Sequence, residues 1–88
     1  MNNEFLNDVE NIIEHKAHRY GEPTMFFKKL SRLWSLMLDI EINEHDVVNM
    51  FIQMKLLRLQ NNPNHLDTQK DIVGYTTIQN MLTNDKIE

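Results

Sequence analysis

The chain has 88 residues, a formal net charge of −4 and no cysteine, which leaves room for one domain and excludes disulfide staples and thiolate metal sites. Its nine Lys and Arg are scattered among thirteen Asp and Glu, a balance that argues against duplex nucleic acid, since such binding needs many uncompensated cations facing phosphates. No apolar run approaches the ~20 residues that span a bilayer.

A chain this short buries only roughly 60% of its unfolded surface, so homo-oligomerisation is expected to supplement the core. The opening MNNEFLND carries neither a basic nor an apolar leader segment, and a cytoplasmic location is expected. Eleven asparagines are compatible with the AT-rich genome of a phage or low-GC bacterium, in which case the location is the host cytoplasm.

Only two glycines and two prolines occur, and apolar residues recur at spacings of three and four, so the chain reads as an all-α domain of four helices. The first is predicted over Glu4–Tyr20, with Phe5, Val9, Ile12, Ile13 and Lys16 on one stripe and Gly21 as its stop. The second opens at Glu22-Pro23, where a missing N–H loses no helical partner. It carries Phe26, Leu30, Leu33, Trp34 and Met37, widened by Phe27 and Leu38. A face that broad predicts contact on two sides.

The third helix is predicted over Glu44–Gln60, with Asn43 as its N-cap, Asp46 completing a variant capping box and Ile42 stapled against Val47. The turn cluster Asn61-Asn-Pro-Asn-His65 ends it. A fourth helix follows from Asn64 or Asp67 to Leu82, with residues 83–88 as a frayed tail.

The fourth helix contains two apparent liabilities. Asp67 and Asp71 lie four residues apart on one face, where like charges repel by roughly 0.2–0.5 kcal/mol, and Gly74 costs about 1 kcal/mol against alanine. A short loop makes helices three and four antiparallel neighbours. With the pivot near Pro63, Lys55 is predicted to pair with Asp71 and Arg58 to sit near Asp67. Opposing cations then offset the carboxylate repulsion, and Gly74 opens space beside Tyr75 for a backbone, a ring or a ligand.

Tyr20-Gly21, Phe27, Leu33-Trp34-Ser35, Asp46-Val47, Lys55-Leu-Leu-Arg58-Leu59, Pro63, His65-Leu66-Asp67 and Asp71-Ile-Val-Gly-Tyr75 together resemble the small helical family catalogued as domain of unknown function 6378, common in phages and prophages. The resemblance covers roughly Tyr20 to Ile78. That family is distantly similar to MazG-like all-α nucleotide pyrophosphatases, which implies nucleoside triphosphates, Mg²⁺ and oligomers that pool carboxylates. Those enzymes use an EExxE cluster and an ExxD pair. This chain offers Glu10 and Glu14 in an ExxxE spacing and Asp67 and Asp71 in a DxxxD spacing.

Carboxylates engaged by Lys55 and Arg58 are poor donors to Mg²⁺, so binding is expected over hydrolysis, with no cofactor required. The leading expectation is a phage-type protein that binds a nucleotide or cyclic nucleotide and sequesters it from a host defence pathway. Lys55 and Arg58 contact phosphate, Asp67 and Asp71 orient them, Tyr20 or Tyr75 packs on the base, and His65 stands beside the ligand. One alternative is a MazG-like pyrophosphohydrolase in which Glu10, Glu14, Asp67 and Asp71 collect Mg²⁺. Another is a protein-interaction module whose ion-pair seam is structural.

The remaining features carry blander readings. His15 and His18 are one turn apart without a third metal ligand, and His45 and His65 are expected at the surface. Trp34 is read as a packing residue, and the six methionines as adaptable core or interface. Ser31 and Ser35 have no histidine at a nucleophile-activating spacing, and no glycine-rich phosphate loop occurs.

Overall fold

The computed structural model describes residues 3–87. Four helices follow one another: α1 over Glu4–Tyr20, α2 over Pro23–Leu38, α3 over Glu44–Asn61 and α4 over Leu66–Ile87. Gly21 closes α1 at a φ of 88°, and its N–H donates to the Ala17 carbonyl at 2.9 Å. Pro23 occupies the first turn of α2, where proline is pre-set for helix.

The Ser35 side chain ties down the turn after α2. Asp39 takes up a left-handed conformation at φ 56°, and the returning chain is held by the Ser35 hydroxyl, which accepts the Ile42 N–H at 2.8 Å. Buried Ser31 donates its hydroxyl to the Lys28 carbonyl at 2.7 Å. Both serines therefore serve the backbone.

The capping box at α3 is formed as its sequence predicts. Asn43 Oδ1 accepts the Asp46 N–H at 2.9 Å, and Asp46 Oδ2 accepts the Asn43 N–H at 3.1 Å. Ile42 and Val47 are both buried in the main core. At α4 the corresponding acceptor is His65. Its Nδ1 lies 3.3 Å from the Thr68 N–H and 2.7 Å from the Thr68 hydroxyl, satisfying one of the orphan donors of the helix start.

Helices α3 and α4 share the most extensive contact in the molecule, and they meet in the predicted antiparallel register. Lys55, eight residues before Pro63, pairs with Asp71, eight residues after it. Further from the turn, the His45 ring bonds to the Gln79 side chain, whose amide donates back to the His45 carbonyl at 3.1 Å. His45 is thus half-buried between two helices, not a surface residue as expected. Helix α4 continues beyond Leu82 to Ile87, and Glu88, the last residue of the expected frayed tail, lies outside the described residues.

The core gathers Phe27, Ile42, Val47, Val48, Ile78 and Leu82, with Trp34, Phe51 and Tyr75 packed against it. Trp34 packs at 6.2 Å from the Phe51 ring, in agreement with its expected role. Helix α1 covers α4 from the other side. A Cβ added at Gly74 would meet Val9 and Ile13 at 3.9 Å, an ordinary packing distance between the two helices.

Candidate functional site

Helices α1, α2 and α4, with Phe51 of α3, enclose a cleft of about 340 Å³ beside Gly74. Val9, Ile12, Ile13 and Lys16 of α1 form one wall; Phe26 and Phe27 of α2 form the second; Gly74, Tyr75 and Ile78 of α4 form the floor. Tyr20 and Gly21 stand where α1 turns into α2, and Asp71 and Lys70 lie on the α4 side. The volume and mainly apolar lining, with a few convergent polar groups, are those of small-molecule sites.

Aromatic rings interlock around Tyr75 on one side of the cleft. Tyr75 stands edge-on to Phe51 at 5.6 Å and to Phe27 at 6.3 Å, and Phe27 stands edge-on to Phe51 at 5.4 Å. The Lys16 ammonium lies 5.9 Å from the Tyr75 ring centre, within cation–π reach. Burial raises the Tyr75 phenol above its ordinary value, the Asp71 carboxylate adds to that rise, and the Arg58 guanidinium opposes it. The hydroxyl therefore stays protonated and is a neutral donor at physiological pH.

Lys55 Nζ lies 3.0 Å from Asp71 Oδ2, and the two side chains are only 11% and 20% exposed. Asp71 thus carries the pair from the α3–α4 seam to the cleft. A second bridge, absent from the sequence reading, joins Lys70 to Asp8 at 2.9 Å. That hydrogen bond is the main cause of the raised Lys70 pKa, reinforced by the charges of Asp8 and Asp67. It pins α1 to α4 at the end of the cleft nearer the α4 N-terminus.

Of the residues singled out in the sequence, Tyr20, Asp71 and Tyr75 line one cleft. Lys55 joins them through Asp71. The expected proximity of Arg58 and Asp67 does not become an ion pair: both side chains are exposed, and the cations of α3 and α4 that pair with carboxylates among the described residues are Lys55 and Lys70. Asp67 sits in the first turn of α4, where its charge favours the helix N-terminus and acts on Lys70 one turn away. The repulsion between Asp67 and Asp71 is therefore offset by two different cations, Lys70 and Lys55.

His65 is committed to capping α4. Glu10 and Glu14 are exposed on α1, and among the described residues no three His, Asp or Glu gather as ligands for a metal ion. Lys16 is the cleft residue that sequence reasoning placed but did not assign. Its signal was a cation within the apolar stripe of α1.

The chain resembles two phage proteins. It is 33% identical over 76 residues to the Gene 55 protein of Mycobacterium phage D29, covering 85% of this chain and 50% of that protein. It is 32% identical over 75 residues to the Gene 55 protein of Mycobacterium phage L5, covering 83% of this chain and 48% of that protein. The chain thus spans about half the length of the curated relatives it matches. No solved structure shows a significant match. No helix among the described residues is long and apolar enough to cross a membrane. With residues 4–83 matching its profile, the chain belongs to the family described as Domain of unknown function (DUF6378).

Proposed function

We propose that this protein is a non-catalytic binder of a nucleotide or nucleotide-derived signal, and that the cleft beside Gly74 receives the base. The observation that carries this reading is the meeting of Tyr20, Asp71, Gly74 and Tyr75 in one largely apolar cleft with Lys16 at its wall. Aromatic walls suit a planar ring, for which stacking contributes about 1–3 kcal/mol per base. Tyr20, more than half exposed at the mouth, closes on the outer face of the base. The Asp71 carboxylate, fixed by Lys55, accepts from an exocyclic amine or sugar hydroxyl.

Phosphate is met by cations at the rim. Lys16 makes no ion pair with a carboxylate among the described residues, and its ammonium stands over Tyr75. Arg58 is exposed and close enough to act electrostatically on Tyr75. Lys55 is engaged by Asp71, so its part is to hold that carboxylate and to keep the rim positive. In a phage setting like that of the relatives, a stoichiometric binder of this kind works by sequestering the signal from a host defence pathway.

A MazG-like pyrophosphatase reading asks for carboxylates converging on Mg²⁺. Glu10 and Glu14 are not gathered with Asp67 and Asp71 within one chain, which favours binding over hydrolysis. Thermal-shift titration with nucleoside triphosphates and cyclic dinucleotides, with and without Mg²⁺, separates the readings. A binder gains about 2.7 kcal/mol at 100 times the dissociation constant, and Lys16→Gln lowers that gain at the same ligand concentration while costing the ligand-free fold no more than the cation–π contact with Tyr75, about 0.5–1 kcal/mol. Pyrophosphate release that Asp71→Asn abolishes would overturn the non-catalytic reading. The absence of a shift with every nucleotide would overturn the binding reading.

A further inference from the structure

We propose that two copies of this chain associate about a two-fold axis through the outer face of α2, antiparallel, with α3 of each copy completing an intermolecular four-helix bundle. The basis is an apolar surface that the fold leaves uncovered. Leu33, Leu36 and Met37 are 63%, 81% and 72% exposed. By helical phase Leu33 and Leu36 lie opposite buried Phe27 and Ser31 and Met37 lies to their side, so α2 carries a second, uncovered apolar stripe beside exposed Lys29 and Arg32.

Helix α3 extends the surface. Met50, Met54 and Leu57 recur at spacings of four and three and are each 40% exposed or more. Met50 and Met54 flank Phe51, and Leu33 and Met37 flank Trp34, and those two rings are in contact. Both stripes therefore border the same α2–α3 seam. Large apolar side chains concentrated this way mark an association surface rather than ordinary scatter.

Charge placement identifies the occupant as a second copy. Arg32 is exposed on the N-terminal side of Leu36, while Asp39 and Glu41 are exposed on its C-terminal side. When α2 lies antiparallel on its twin with the axis at Leu36, Arg32 of each copy comes level with the end of the other α2, within about one residue of the partner's Asp39 at the helix C-cap. A parallel arrangement would set like charges together. The surface is thus complementary to itself under a two-fold operation, which is what an isologous interface requires.

Sedimentation equilibrium and circular dichroism on the full chain and three variants test the proposal. The wild type is expected at twice the 10.5 kDa chain mass. Leu36→Lys, at a side chain so exposed that the monomer fold does not depend on it, yields a monomer with an unchanged helical spectrum. Arg32→Glu weakens association at least tenfold, and Arg32→Glu combined with Asp39→Lys restores it. A monomeric wild type, or a dimer untouched by Leu36→Lys, overturns the interface. Failure of the double charge exchange to restore association overturns the antiparallel pairing.

Discussion

Lys55 and Asp71 meet at 3.0 Å across the α3–α4 hairpin, largely shielded from solvent, and Asp71 turns its other side to the cleft. A pair this shielded is costly to break and cheap to replace, because removing one partner strands the other charge whereas an apolar pair of similar size leaves none. Lys55→Ala is expected to lower the unfolding free energy by about 2 kcal/mol, between the surface and fully buried cases. Lys55→Met with Asp71→Leu recovers most of that loss. Urea denaturation of the three proteins checks this, and an additive double mutant would show that the pair is not coupled.

Gly74 stands where α1 crosses α4, yet a methyl group there would make only ordinary contacts, at 3.9 Å, with Val9 and Ile13. Steric closeness therefore does not demand glycine at this position. Gly74→Ala is expected to raise stability by about 0.5–1 kcal/mol through helix propensity and the reduced freedom of the unfolded chain. A fall in melting temperature would mean that α1 and α4 cannot accommodate the methyl group.

His65 caps α4 through its Nδ1. His65→Ala is expected to cost about 1 kcal/mol, the usual loss for an N-cap, while His65→Asn keeps most of the stability. Nucleotide affinity stays unchanged in His65→Asn, since the ring's partner is Thr68. Loss of binding at full stability in that variant would return His65 to the ligand.

Alkaline pH weakens the fold through two groups. Burial and the Asp71 charge raise the Tyr75 pKa, and the hydrogen bond with Asp8 raises that of Lys70. In both cases the folded state holds its proton more tightly than the unfolded state. The associated stability is full below the unfolded values of about 10 and 10.4, and it is lost as pH rises through the higher folded values. Chemical denaturation between neutral pH and pH 11 is expected to show this decline, shallower in Tyr75→Phe and in Lys70→Met. A decline unaltered in both variants would assign it to other groups.

Local signals in the sequence determined most of the fold. Gly21, Pro23, the Asn43–Asp46 box and the Asn-Pro turn each act within a few residues, and the helix boundaries follow them closely. The short loop also made the register legible, so the Lys55–Asp71 pair could be found by counting from Pro63. The same counting sets Arg58 near Asp67, yet the two exposed side chains form no ion pair, and Asp67 in the first turn of α4 acts on Lys70.

The place of α1 was not legible. Asp8 and Lys70 are 62 residues apart in sequence, and no turn chemistry relates helices so distant. Consequently Tyr20, Asp71, Gly74 and Tyr75 were recognised as candidates, but the cleft that joins them and the part of Lys16 in it emerged only from the packing of α1 on α4.

Calorimetric titration of wild type and Gly74→Ala with one nucleotide that shifts the wild-type melting temperature tests the cleft most directly. Because Gly74 floors the cleft, the added methyl should weaken binding at least tenfold while the ligand-free variant melts higher than the wild type. Equal or tighter binding by Gly74→Ala would place the nucleotide elsewhere on the molecule.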